Sequence, residues 1–129
     1  MKGRRRGRIS SYNDLANWLF VLIIKTLNKR VWRIYKCKEI KDPEYPKRKL
    51  CGYVDGTQDE NEIYLSANKQ ENPTKDDIGK TLLHEVLHII YPMVKEGRIL
   101  KLEAILWNSL SKQQRKIIKS YIPKHYSKK

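Results

Sequence analysis

Asn72-Pro73-Thr74-Lys75-Asp76-Asp77-Ile78-Gly79-Lys80-Thr81-Leu82-Leu83-His84-Glu85-Val86-Leu87-His88-Ile89-Ile90-Tyr91-Pro92 carries its own start and stop signals. Asn72-Pro73 breaks the preceding chain. Thr74 with Asp77 then makes a capping-box-like start, in which hydroxyl and carboxylate bond N–H groups that a first turn leaves without partners. Pro92 ends the segment, because the residue before a proline is driven out of the helical region. The spacing predicts a helix from about Lys75 to Tyr91. Leu82, Leu83, Val86, Leu87, Ile89 and Ile90 predict that it is buried.

Working outward, Asn61 to Ser66 sets Ile63 and Leu65 on one side and reads as a strand. Leu50 to Val54 reads as another, closed by the turn signal Asp55-Gly56, and Val31 to Cys37 as a third. Asp42-Pro43-Glu44-Tyr45-Pro46 is a loop. Ser11 is placed to cap a helix reaching about Arg30, with Leu15, Trp18, Leu19, Leu22, Ile23 and Leu27 on one face. Downstream, a helix is predicted from about Gly97 to Leu110. Ser111 with Gln114 restarts a last helix that ends before Pro123. The order is an α+β arrangement: a backing helix, a three-stranded sheet, the helix quoted above, and C-terminal helices. It fits a single domain over 11–122 behind a basic leader, 1–10.

At 129 residues, 40% of them hydrophobic, there is material for one core. The 33% of charged residues, rich in Lys and Glu, is a thermophile's composition. A net charge of +14 attracts nucleic acid, anionic lipid or acidic polypeptide without choosing among them. Its densest run, Lys2-Gly3-Arg4-Arg5-Arg6-Gly7-Arg8, is either a solvated, disordered leader or a nucleic-acid arm. The remaining lysines are scattered, without interleaved aromatic residues for stacking bases. The apolar run Trp18 to Ile24 is too short for a membrane span, which takes about 20 residues. No small-residue cleavage site follows it, so a soluble cytoplasmic protein is expected. Cys37 and Cys51 form no Cys-x-x-Cys pair. Two buried free thiols are expected, with a cross-strand disulfide as the alternative.

Chemistry concentrates at His84-Glu85-Val86-Leu87-His88. Histidines four apart project from one helix face and can bind one Zn²⁺. Glu85 is turned about 100° around the helix from His84. It therefore lies beside the metal, placed to hold a water and take its proton as general base. Two histidines on so apolar a helix need partners; the alternative to zinc is a pair of ordinary hydrogen-bonded core histidines. A catalytic zinc site wants three protein ligands and an open position. Glu103, surrounded by Ile99, Leu102, Leu106 and Leu110 at helical spacing, is the first candidate for the third. Glu96, favoured at a helix start by the dipole alone, is the second. Cys51 and His125 are further candidates, His125 also as an oxyanion stabiliser.

At these residues the chain resembles the zincin metallopeptidases, and specifically the gluzincins, whose third ligand is a Glu on a following helix. The element order is similar to that of the minigluzincins, which in turn resemble the catalytic domains of CAAX-type membrane peptidases. Cys51 in Leu50-Cys51-Gly52 is a fainter likeness to peptide deformylases. The third His of SprT-like proteases and the Asn-Glu pair of the longer gluzincin motif are absent. The resemblance implies a zinc peptidase acting on peptides or proteins, with His84, His88 and Glu103 as ligands and Glu85 as base. It also implies that Glu62 to Ser66 lies along the cleft and pairs with an extended substrate. Ile117, Ile118, Tyr121 and Ile122 make an apolar set in the last helix. Residues 111–129 are then expected either to restrain the enzyme, by filling the cleft or joining two copies into a homodimer, or to complete the core on the backing helix. A basic nucleic-acid-associated protein with a structural zinc, and a zinc hydrolase of the deformylase kind acting on small amides, remain the competing functions.

Overall fold

A computed structural model of the chain describes residues 11–29, 32–45, 47–56 and 61–126. The leader 1–10, Arg30, Val31 and the Ser11 side chain, on which parts of the sequence reading rest, lie outside the described residues. The elements run α1 (Ser11–Leu27), β1 (Trp32–Cys37), β2 (Ile40–Lys41), β3 (Lys49–Leu50), β4 (Gly52–Gly56), β5 (Asn61–Ser66), α2 (Lys75–Ile90), α3 (Glu96–Ser109) and α4 (Lys112–Lys119).

The helix α2 starts on the Thr74–Asp77 capping box, with both reciprocal bonds made. It is the centre of the molecule and packs on α1, α3, α4, β4 and β5. Its Leu82, Leu83, Val86 and Leu87 are accordingly fully buried. Each such side chain stabilises the fold by roughly 1.5–3 kcal/mol relative to exposure. In the three-stranded sheet the order is β1-β5-β4, with β5 parallel to β1 and antiparallel to β4. Ile63 and Leu65 of β5 are fully buried in the helix-facing core. On the opposite face Tyr35, Tyr64 and Tyr53 stand in register, their ring centroids 5.3 and 6.2 Å apart.

Three sequence expectations need correction. The strand expected over Leu50 to Val54 is divided at Cys51: β3 turns away to pair with β2 in a small two-stranded ribbon, and only β4 joins the main sheet. On α1 the buried stripe is Ala16, Leu19, Ile23 and Leu27, whereas Leu15 and Trp18 are 49% and 59% exposed. That stripe faces the core, with Phe20 and Ile24 packed half-buried against it, and Leu15 and Trp18 lie at the outer edge of the apolar arc. Cys37 and Cys51 are both free, but Cys51 is exposed.

The last helix belongs to the core. Ile118 and Ile122 are buried in it. Gln114 Nε2 donates to Asn17 Oδ1 at 3.0 Å, and the Tyr121 hydroxyl donates to Asn28 Oδ1 at 2.6 Å, so the middle of α1 and the residue just after it hold the segment. Gly79 allows this seat: a Cβ there would lie 2.8 Å from the Trp107 ring and 2.9 Å from Lys119 Cγ. Through these contacts residues 112–122 pack on the core of the chain. Among the described residues no helix is long and apolar enough to cross a membrane.

Candidate metal centre

His84 and His88 lie one turn apart on α2, and Glu96 is the first residue of α3. Three of their atoms converge. His84 Nε2 is 3.1 Å from His88 Nε2 and 3.1 Å from Glu96 Oε1, and His88 Nε2 is 2.6 Å from Glu96 Oε1. A carboxylate at the first residue of a helix is favoured by the dipole, and the Glu96 side chain, 62% exposed, closes the triangle from the rim.

Glu103 stands one step back. Its Oε1 accepts from His84 Nδ1 at 2.8 Å. The first choice from sequence is thus placed behind His84, and Glu96, the second, occupies the cluster. Cys51 Sγ is directed instead to the Glu71 carbonyl, 3.4 Å away, and His125 is exposed in the tail. Glu96 and Glu103 are seven residues apart, two helical turns, so both face α2 and sequence periodicity could not separate them.

The proton count explains why this cluster suits a cation. With the Nδ1–H of His84 donated to Glu103, a neutral His84 presents only a lone pair at Nε2. With that neutral tautomer the triangle holds at most one proton, on His88 Nε2, for three short contacts. Tetrahedral zinc with bonds of about 2.0–2.1 Å sets its ligand atoms roughly 3.3 Å apart, close to the two 3.1 Å spacings and wider than the 2.6 Å between His88 and Glu96. A carboxylate on the far nitrogen fixes tautomer and ring orientation, as it does at zinc-ligating histidines. In the metal-free chain burial disfavours the His84 imidazolium. The bond from Glu103 and the charges of Glu85, Glu96 and Glu103 outweigh it, and the His84 pKa is raised.

Glu85, 8% exposed, faces the sheet side of the cleft. Burial pushes its pKa up to about 7; His84 opposes the rise, while Glu96 and Glu103 add to it. The close neighbour is Gly52 at the start of β4. A Cβ there would lie 2.5 Å from Thr81 Cγ2 and 3.0 Å from Glu85 Oε2, so only glycine lets the strand approach this helix. A buried amide holds the approach: Asn72 Nδ2 donates to the Ser66 and Cys51 carbonyls at 2.8 and 3.1 Å, and Thr81 Oγ1 donates to Asn72 Oδ1 at 2.8 Å. Neither Gly52 nor Asn72 was recognised from sequence. A glycine inside a strand pattern was the available signal for Gly52.

The cluster opens into a cleft of about 410 Å³ between residues 48–52 and helices α2 and α3. Glu71 lines it with a buried Oε1 that has no hydrogen-bond partner among the described residues. The strand placed along the cleft by resemblance, Glu62 to Ser66, lies in β5, whose two sides are taken by β1 and β4. The sheet edge beside the cleft belongs to β4. His84, His88 and Glu96 therefore form a three-ligand site able to hold a metal ion, with a buried carboxylate and an open cleft alongside. Compared with known proteins, the chain matches no family model, no curated protein and no solved structure.

Proposed function

We propose that this chain is a zinc-dependent peptidase of minimal gluzincin type, with His84, His88 and Glu96 as ligands and Glu85 as general base. The observation that carries the reading is the convergence of three ligand atoms beside a buried carboxylate at an open cleft. Zinc, when bound, supplies Lewis-acid polarisation of a carbonyl and lowers the pKa of water toward about 7. Glu103 keeps His84 in the tautomer that leaves Nε2 free to ligate. Glu85, a buried carboxylate beside the cluster, takes a proton from the attacking water and returns it to the leaving nitrogen. An extended peptide adds to the edge of β4, where Gly52 holds the backbone close to Glu85. A purely structural zinc would be enclosed by four protein ligands, whereas this site has three and faces a cleft.

Metal analysis and peptide-library digestion test the reading together. About one zinc per chain is expected, lost in the His84→Ala/His88→Ala double variant. Glu85→Gln is expected to keep zinc and fold while cleavage falls by about 10²-fold or more. Full zinc content in the double variant defeats the ligand assignment. Wild-type cleavage by Glu85→Gln removes Glu85 as the base.

A further inference from the structure

At the opposite end of α2 from His88, a groove of about 580 Å³ lies between the first turn of α2 and one face of α4. Five cations line it: Lys75, Lys112, Arg115, Lys116 and Lys119. The last four follow the i, i+3, i+4, i+7 spacing of a single helix face. The one acid in the lining, Asp76, is bonded to Lys119 Nζ at 2.5 Å, which lowers the Asp76 pKa. Arg115 is held by the Trp107 and Asn108 carbonyls, which fix its guanidinium without neutralising it. Lys75, Lys112 and Lys116 are exposed and have no carboxylate partner among the described residues.

This arrangement is electrostatically uphill. Lys112 and Lys116 are like charges four apart on one helix, as are Arg115 and Lys119, though Asp76 meets the charge of Lys119. Lys75 and Lys112 are also the first residues of α2 and α4, where the helix dipole disfavours a cation. A polyanion laid in the groove relieves both costs. The basic face runs the length of α4, about 10 Å, which calls for a row of phosphates instead of one. No large apolar side chain lines the groove, so it lacks what a membrane-inserting surface uses. Trp107, the aromatic residue beneath Arg115, is 2% exposed and offers no ring for stacking unpaired bases. We infer that this groove binds the phosphate backbone of duplex nucleic acid, independently of sequence and of the peptidase reading.

The test is fluorescence anisotropy of the full chain with a labelled duplex of about 20 base pairs, titrated from about 50 to 200 mM NaCl. The triple variant Lys75→Gln, Lys112→Gln, Lys116→Gln is compared with Lys29→Gln, Lys41→Gln, Lys69→Gln, which removes equal charge from exposed sites elsewhere. The groove variant is expected to lose more than about tenfold in affinity at the lowest salt. Its slope of log K against log salt should flatten by about 2.7, or 0.9 for each lost phosphate contact, against less than about 1 for the control. If the triple variant does not fold, Lys116→Glu should weaken binding more than Lys69→Glu. Equal losses in groove and control variants overturn the inference, as does a wild-type chain that ignores the duplex. Binding to phosphatidylserine vesicles that needs the same lysines, without competition by duplex, transfers the groove to a membrane surface and overturns it too.

Discussion

The two ends of α2 are electrostatic opposites. Toward its C-terminus, His84, Glu85 and His88 meet Glu96 and Glu103 of α3, a cluster of imidazoles and carboxylates in short contact. Around its first turn, Lys75 meets the basic face of α4, and the only acid lining that groove is already paired. The first region is mostly sheltered and fixed by short contacts, while the second is open and carries exposed cations. Buried polar groups must be matched one by one, because each unmatched group there costs its full desolvation. Exposed charges are screened, so they tolerate imbalance until a large counter-charge arrives. One helix thus carries a compact histidine–carboxylate cluster able to hold a cation at one end and an open array of positive charge at the other.

The sharpest break in that comparison is at the two glutamates of α3. Glu96→Gln is expected to weaken zinc binding by more than about a hundredfold, because a ligand is lost. Glu103→Gln, which disturbs only the partner of His84, should cost about 10–100-fold. Titration against a chelator of known affinity ranks them, and the reverse order gives the ligand role to Glu103.

A smaller effect concerns Glu85 in the chelator-treated chain. Its pKa rises from 4.5 to about 7 on folding, so the folded state binds the proton more tightly. Below 4.5 the carboxyl is neutral in both states and burial costs nothing. Stability is lost as pH climbs toward 7, and above 7 the cost is complete, up to about 3 kcal/mol. Glu85→Gln should therefore match the wild type at about pH 4 and exceed it at about pH 8 in urea unfolding. A pH-independent difference between the two proteins contradicts this account.

The least disruptive change, Gly52→Ala, adds one methyl where Thr81 Cγ2 would lie 2.5 Å away. Overpacking of this kind costs about 1–3 kcal/mol. Because Glu85 Oε2 is also in contact range, any peptidase activity should fall even in the folded fraction. An unchanged melting temperature means that β4 sits less tightly on α2 than described.

Much of this molecule is written locally. The Thr74–Asp77 and Ser111–Gln114 capping boxes, the stop before Pro92 and the alternation of Ile63 and Leu65 all involve residues within a few positions of one another, and each element formed where expected. The two-residue strands β2 and β3 were not legible, since so short a pairing leaves no periodicity to read. Leu15 and Trp18 mark the same limit on α1: the helix pattern was correct, but which part of a wide apolar arc is covered depends on what packs there.

By itself the sequence determined the α+β element order, the burial of α2, and the placing of His84 and His88 on one face with Glu85 beside them, because helical spacing alone sets those relations. Only the tertiary structure separated Glu96, which joins the histidine cluster, from Glu103, which stands behind His84, since the two share a stripe and are told apart by how far α3 slides along α2. The same holds for the groove at α4, where Lys75 meets Lys112, Arg115, Lys116 and Lys119 only after the last helix folds back across Gly79. Both sites join side chains from separate helices, and that spacing is set by packing, which no local pattern encodes.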